Sequence, residues 1–347
     1  MTLLLNYRPV LRQPTGIGVY ANAMQPALQA LPHVLVPGGG DGTAQQRMKR
    51  LLWSQVQLPR LARRHNASLI FTPAPEGYLG PQRIPQVVMV HDLRPISHPE
   101  RSFQSLYFRG WVPPLLRSCR HVLTNSQFTA QEIQRCTGLP DRCITVTPLG
   151  YDDQVFLPAS PPPGSKQSPY LLHIGQAYPH KNLRRLIQAF AEIAPRYSEL
   201  RLVLAGKSHP TETPVLRAMV QQLGLHERVE FRRYVPYADL PDLYRGALAF
   251  VYPSLWEGFG LPILEAMACG TPVITSYGTG TEEVAGDAAL LVNPVHLGEL
   301  KEALHQVVQN DHRCRQTLRG NGLDRASLFS WTRTIAQTTQ VLESLIR

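Results

Sequence analysis

The sequence predicts an α/β protein built from two doubly wound, Rossmann-like domains. Three observations lead there. Short apolar runs of strand length alternate with helical periods along the whole chain. The length of 347 residues exceeds what one hydrophobic core usually supports. A Pro-, Ser- and Gly-rich stretch without apolar periodicity, LPASPPPGSKQSP at 157–169, separates two such alternating series and reads as a linker. Strands that alternate with helices pair in parallel, and ligands of open parallel sheets collect beyond the C-terminal strand ends.

In the first series the runs at 2–5, 34–36, 68–72, 86–90, 121–124 and 144–147 are strands, with helices at 18–31, 45–64 and 126–136. Three strand ends there carry polar or glycine-rich groups. PTGIGVYANAM (14–24) turns into a helix through Gly16 and Gly18, QVVMVHDLRP (86–95) releases His91 and Asp92 together, and TNSQFTA (124–130) offers Asn125 and Ser126 as helix N-caps. A neighbouring carboxylate such as Asp92 can orient an imidazole or support its charge.

In the second series the strands are 170–174, 201–205, 229–231, 248–252, 272–275 and 289–292, with helices near 182–194, 212–223, 239–245, 262–269 and 297–309. Lys181 follows the first of these strands, with Asn182 placed to N-cap the next helix. The stretch PSLWEGFGLPILEAMACGTPVI (253–274) sets Glu257 on a loop and Glu265 about one turn into a short helix, from about Pro262 to Cys269. Gly258 and Gly260 allow a ligand close to the backbone, and the orphan N–H groups of the helix start attract anions. Carboxylates accept from hydroxyls and orphan amides donate to phosphate oxygens, a combination suited to a nucleotide sugar. The last stretch, FSWTRTIAQTTQVLESLI, is helical and follows completion of the second sheet.

Composition narrows the function classes. With 43% hydrophobic and 17% charged residues the chain is globular, and no apolar run reaches the roughly 20 residues of a membrane span. MTLLLNYRP reads as a first strand rather than as a signal peptide. The five cysteines, Cys119, Cys136, Cys143, Cys269 and Cys314, include no C-x-x-C pair, so neither a disulfide framework nor a zinc site is expected, and a reducing cytoplasm is the expected location. The net charge of +10 is uneven: residues 1–163 carry 16 Lys and Arg against 8 Asp and Glu, and residues 164–347 carry 19 against 17. That asymmetry suits an anionic partner for the first half. Nucleic acid is not expected, because no helix-turn-helix, zinc or aromatic-interleaved basic motif is present.

These residues resemble a retaining nucleotide-sugar glycosyltransferase of family 4, with the GT-B fold, and in particular bacterial polysaccharide mannosyltransferases. The segment VYPSLWEGFGLPILEAMACGTPVITS carries the resemblance most specifically, supported by TGIGVY, VHDLRP, TNSQFTA, HKNLRRLIQAF, LVLAGK and EEVAGDAALLVNP. The resemblance implies an acceptor-side domain over residues 1–160, a nucleotide-sugar-binding domain over 168–328 facing it across a cleft, and a helix at 329–347 returning to the first domain. It implies that Glu257 and the backbone of Gly258, Phe259, Gly260 and Leu261 hold the donor sugar and diphosphate, that Glu265 holds the ribose hydroxyls, and that Lys181 binds diphosphate. His91 would lie beside the transferred sugar, supported by Asp92, with Gly16 and Gly18 bordering the phosphates and acceptor.

The activity so implied is hexose transfer, mannose from GDP-mannose foremost, to a glycan or lipid-linked acceptor, with no metal ion and no cofactor. A UDP-sugar donor and a catalytically silent nucleotide-sugar binder are the alternatives. Two positions depart from the family pattern: Gln176 stands where an Arg is common, and Arg233 where a Gly is common near the nucleobase. The basic, partly apolar stretch 45–65 adds an expected weak, charge-driven contact with an anionic membrane surface, its apolar residues packing on the sheet.

Overall fold

The computed structural model describes residues 2–11, 16–40, 43–81, 83–99, 103–158, 168–309 and 312–346. Apart from its ends, the expected linker at 157–169 lies outside the described residues, as do Pro14 and Thr15 of the first glycine turn. The chain divides into two compact units, residues 1–150 with 331–347, and residues 151–330.

The first unit is a six-stranded parallel sheet of β1 (Thr2–Asn6), β2 (His33–Val36), β3 (Ala67–Thr72), β4 (Gln86–Val90), β5 (His121–Thr124) and β6 (Ile144–Val146), in the order β2-β1-β3-β4-β5-β6. The second is a six-stranded parallel sheet of β7 (Tyr170–Ile174), β8 (Arg201–Ala205), β9 (Val229–Arg232), β10 (Ala249–Tyr252), β11 (Val273–Ser276) and β12 (Leu290–Val292), in the order β12-β11-β10-β7-β8-β9. Both sheets are doubly wound, so each has a point where successive connections depart to opposite sides. In the first sheet it lies between β1 and β3, and in the second between β7 and β10.

Burial on both faces explains the continuous apolar strands. All five residues of β4, QVVMV, are buried, and so are all of VITS in β11. Helices cover the sheets through apolar stripes of helical period: in Leu183–Ile193 the residues Leu183, Leu186, Ile187 and Phe190 are at most 4% exposed. The helix Trp331–Ile346 belongs to the first unit, packing on the helix Gly16–Gln29 and on β3, with Thr334, Thr338 and Leu342 buried and the Thr334 hydroxyl donating to Pro148 O at 2.6 Å.

Several helices lack a sequence signal strong enough to predict them. Arg94–Ser97 and Val112–Ser118 are short and begin at prolines, which supply the fixed φ of a first turn. Phe103–Gly110 and Gly280–Ala285 are also short. His312–Ser327 is long, yet its sequence, HRCRQTLRGNGLDRAS, has no apolar stripe to reveal it.

Candidate active site

Beyond the ends of β7 and β10, where the second sheet reverses its winding, two loops are laced together. The loop after β7 closes in a 3-10 turn, Pro179–Lys181, and the loop after β10 leads to the helix Leu261–Ala268. Leu255 N donates to His180 O at 2.7 Å, and Asn182 Nδ2 donates to Pro253 O at 3.0 Å and to Pro294 O at 2.6 Å. Asn182 therefore does not act as the expected side-chain N-cap. It occupies the cap position with a left-handed φ of 61°, and its amide joins three loops instead.

The lacing brings Lys181 against Glu257. Lys181 Nζ lies 2.6 Å from Glu257 Oε1, also donates to the Tyr252 hydroxyl, and sits 4.6 Å from the centre of the Tyr252 ring. Burial alone would lower the ammonium pKa, but the charge of Glu257 and the hydrogen bonds of Glu257 and Tyr252 outweigh it and raise it above the ordinary lysine range. Burial and the Glu257 charge likewise push the Tyr252 phenol up, so it stays protonated. The cation is thus held in its charged form, with the Glu257 carboxylate as its counter-ion.

The Glu257 loop is held by its neighbours. Gly280 N donates to Glu257 O at 2.9 Å, and a Cβ at Gly280 would fall 2.3 Å from Gly258 O, so only glycine permits this approach. Gly260 occupies the N-cap position of Leu261–Ala268 with φ 125°, and no side chain caps that helix. Pro262 lies in its first turn, as the sequence leads one to expect, and the helix stops one residue before Cys269. Leu261 is thus the first helical residue. Phe259 buries its ring edge-on to Phe329 at 6.1 Å, leaving backbone as what it offers a ligand. Glu265 is buried within the helix and accepts from the Tyr244 hydroxyl at 2.9 Å. Burial pushes its carboxyl up to about 7, partly opposed by Tyr244.

In the first unit, Gly16 is exposed at the start of its helix and Gly18 is buried two residues before Tyr20. Tyr20 meets the His91 ring edge-on at 5.1 Å, which joins the glycine turn to the end of β4. The hydrogen bond that orients His91 comes from a source other than the expected carboxylate. Its Nε2 donates to Pro73 O at 3.1 Å, while Asp92 Oδ1 accepts from Arg94 N at 3.1 Å. An aspartate at a strand exit closes the local turn through such an amide contact. Burial lowers the His91 pKa to about 4, so the imidazole is neutral at pH 7 and, with Nε2 donating, Nδ1 is left as an acceptor. Asn125 Nδ2 donates to His91 O at 3.1 Å, and Ser126 caps its helix by accepting from Thr129 N.

The 73–80 loop that carries Pro73 is itself braced. Arg50 forms a bidentate pair with Glu76 at 2.5 and 2.6 Å, Tyr107 donates to Pro75 O, Gln55 to Gly77 O and Gln86 to Tyr78 O. The sequence assigns no role to Tyr252, His173 or Pro73, and it places Arg50 among the surface cations of the stretch 45–65 rather than against Glu76. For His173 a signal existed, since one imidazole inside the buried strand YLLHI is unusual. For Tyr252 and Pro73 there was none, because an apolar strand residue and a proline carbonyl look ordinary in one dimension. Among the described residues, no group of three or more His, Cys, Asp or Glu side chains is arranged to hold a metal ion.

Comparison with known proteins agrees with this geometry. Residues 15–155 match the description Glycosyltransferase Family 4, and residues 160–322 match Glycosyl transferases group 1. The chain is 35% identical over 286 residues to O-antigen chain mannosyltransferase B of Escherichia coli, covering 78% of this chain and 73% of that one. It is 32% identical over 224 residues to the O-antigen chain mannosyltransferase RfbU of Salmonella typhimurium, covering 65% and 61%. Among solved structures, sucrose-phosphate synthase from Thermosynechococcus elongatus superposes with a TM-score of 0.81 at 21% identity over 99% of both chains. HepE of Anabaena in complex with UDP-glucose gives 0.78 at 21% identity over 99% of this chain and 100% of that one. The chain therefore belongs to the family 4 glycosyltransferases of the GT-B fold.

Proposed function

We propose that the protein is a retaining hexosyltransferase that moves mannose from GDP-mannose to a glycan or lipid-linked acceptor in cell-surface polysaccharide synthesis, without a metal ion or other cofactor. The observation that carries this reading is Lys181, a charged ammonium at the winding reversal of the second sheet, beside Glu257 and an uncapped helix start. Loss of a nucleoside diphosphate from the anomeric carbon builds negative charge on a phosphate oxygen. A fixed ammonium and a helix N-terminus stabilise that charge without a metal. In this reading Glu257 takes hydroxyls of the sugar, Glu265 those of the ribose, and the backbone from Gly258 to Leu261 faces the diphosphate. His91 presents a neutral acceptor to the transferred sugar, with Asp92 beside it and with Gly16 and Gly18 bordering the phosphates and acceptor.

Mannose is supported by the names of the O-antigen relatives. A UDP-sugar donor is the second reading, favoured by the UDP-glucose complex of HepE. A panel of nucleotides and nucleotide sugars followed by thermal unfolding separates them. The cognate nucleotide at about 100 times its dissociation constant adds roughly 2.7 kcal/mol of stability. We expect GDP and GDP-mannose to give the largest shift; a larger shift with UDP-sugars selects the second reading, and no shift with any of them overturns both.

The work of a cytoplasmic enzyme on a lipid-linked acceptor is done at a membrane surface. No helix among the described residues is long and apolar enough to cross a membrane. The helix Ala44–Arg64 sorts its residues in a way the sequence did not. Leu58 and Ala62 pack on the sheet and Leu51 is buried, while Met48, Leu52 and Val56, at i, i+4 and i+8, are 43%, 61% and 46% exposed. Arg50, one of the basic residues of the stretch 45–65, is buried against Glu76 and so turned from the surface, whereas Lys49, Arg60, Arg63 and Arg64 are exposed beside the apolar stripe. In this reading that face rests on anionic lipid by charge and by shallow apolar contact.

Two further outcomes follow from this reading. Ribose hydroxyls donate to the charged form of Glu265, so nucleotide binding lowers its raised pKa and releases a proton. Nucleoside diphosphate affinity should rise with pH, by up to about tenfold per unit below pH 7, and level off above it. In the ligand-free fold the sign is opposite: protonated Glu265 adds stability that is lost as pH rises from the ordinary carboxylate range through about 7. Calorimetric titration across that window tests this, and Glu265→Gln should remove the dependence. For the membrane face, co-sedimentation should require anionic vesicles, fall with salt, and weaken both in Leu52→Gln and when Lys49, Arg63 and Arg64 become Gln. Equal binding to neutral vesicles rejects the charge contribution, and an unchanged Leu52→Gln rejects the apolar one.

A further inference from the structure

Two buried side chains beneath the candidate site have no part in the scheme above. Tyr252 ends β10 and is 3% exposed; His173, on the adjoining strand β7, is fully buried. Their rings lie nearly parallel, 14° apart with centres separated by 5.4 Å. His173 Nδ1 is 2.9 Å from Val251 O, the carbonyl of the residue before Tyr252, so one bond ties the histidine ring to the strand segment that carries the tyrosine. With Nδ1 donating, Nε2 keeps a bare lone pair and has no hydrogen-bond partner, and a Cβ at Gly175 would stand 3.2 Å from it. Burial, with the Lys181 charge adding to it, lowers the His173 pKa to about 4. The stacked ring therefore places no second positive charge beside the ammonium.

Tyr252 matters when the ion pair changes partners. Lys181 has Glu257 and Tyr252 as its hydrogen-bond partners. In the reading above, on which this inference rests, a bound donor draws Glu257 to sugar hydroxyls and Lys181 to the diphosphate. A lysine has a flexible four-carbon stem and three rotatable donors, so an ammonium released from Glu257 loses its aim unless something else holds it. The Tyr252 hydroxyl faces both Glu257 and the ammonium, and when Glu257 turns to the sugar its oxygen and the ring face remain for Lys181, with the ring held in its stack on His173.

We propose that Tyr252, held flat by His173, is a positioning residue for the transfer: it keeps the Lys181 ammonium aimed at the leaving diphosphate while Glu257 is engaged by the sugar. A charge that must meet a developing oxyanion is most sensitive to aim in the transition state. Loss of the phenol oxygen should therefore appear in kcat rather than in KM.

The test is a double-mutant cycle on nucleotide-sugar turnover with Lys181→Ala and Tyr252→Phe, the latter preserving the ring and its stack. Tyr252→Phe should lower kcat about tenfold, with donor KM changed by less than about twofold, and should add nothing in the Lys181→Ala background. His173→Asn, which keeps a donor for Val251 O, should retain more turnover than His173→Leu, with the unfolding midpoint of each variant measured alongside. A wild-type kcat in Tyr252→Phe, or the same fold loss with and without Lys181, overturns the proposal. If the wild-type protein turns over no nucleotide sugar, the functional reading fails and the proposal falls with it. If the wild type is active and the two effects simply multiply, the proposal alone falls.

Discussion

The ion pair between Lys181 and Glu257 is the contact on which the candidate site depends. Its side chains are only 12% and 14% exposed, and taking two such charges out of water costs on the order of several kcal/mol per ion even after relaxation. Attraction at 2.6 Å repays that cost only if the geometry is held and the remaining donors are satisfied. The surrounding structure holds the geometry and supplies a second acceptor for the ammonium. Asn182, Leu255 and Gly280 lace the loops that carry the pair, and the Tyr252 hydroxyl oxygen accepts a hydrogen bond from the ammonium. The result is a site whose cation is charged and neutralised by an internal carboxylate. In the proposed function the donor diphosphate competes with Glu257 for that cation, and the uncapped start of Leu261–Ala268 suits the same kind of ligand.

A second buried pair has a comparable role in the first unit. Arg50 and Glu76 join the helix Ala44–Arg64 to the 73–80 loop, and that loop supplies the carbonyl that orients His91. One face of the helix is therefore committed to bracing a candidate catalytic group, while the opposite face is free for a surface partner. This division explains why a single basic stretch of sequence contains both a buried arginine and several exposed ones.

The fold was largely legible from the sequence because the strands are short, continuous and buried, and the helices between them show clear apolar stripes. The elements that escaped, such as His312–Ser327 and the proline-initiated Val112–Ser118, have no stripe or too little length for one. At the site, the residue types and their strand-end positions were readable, as was the sharp turn from Gly260 into a helix containing Pro262. Their pairings were not. Nothing in one dimension says that Lys181 meets Glu257, separated from it by 76 positions, or that a proline carbonyl rather than Asp92 holds His91. Asn182 is the instructive case, because its side chain satisfies two distant carbonyls where local rules assign it to the following helix.

The proposed function requires the donor diphosphate to compete with Glu257 for Lys181. Calorimetric titration of GDP and UDP into the wild-type protein and Glu257→Gln measures this directly. With no carboxylate to displace, the variant should bind the cognate nucleoside diphosphate about tenfold more tightly, about 1.4 kcal/mol. Affinity equal to or weaker than wild type would contradict the account.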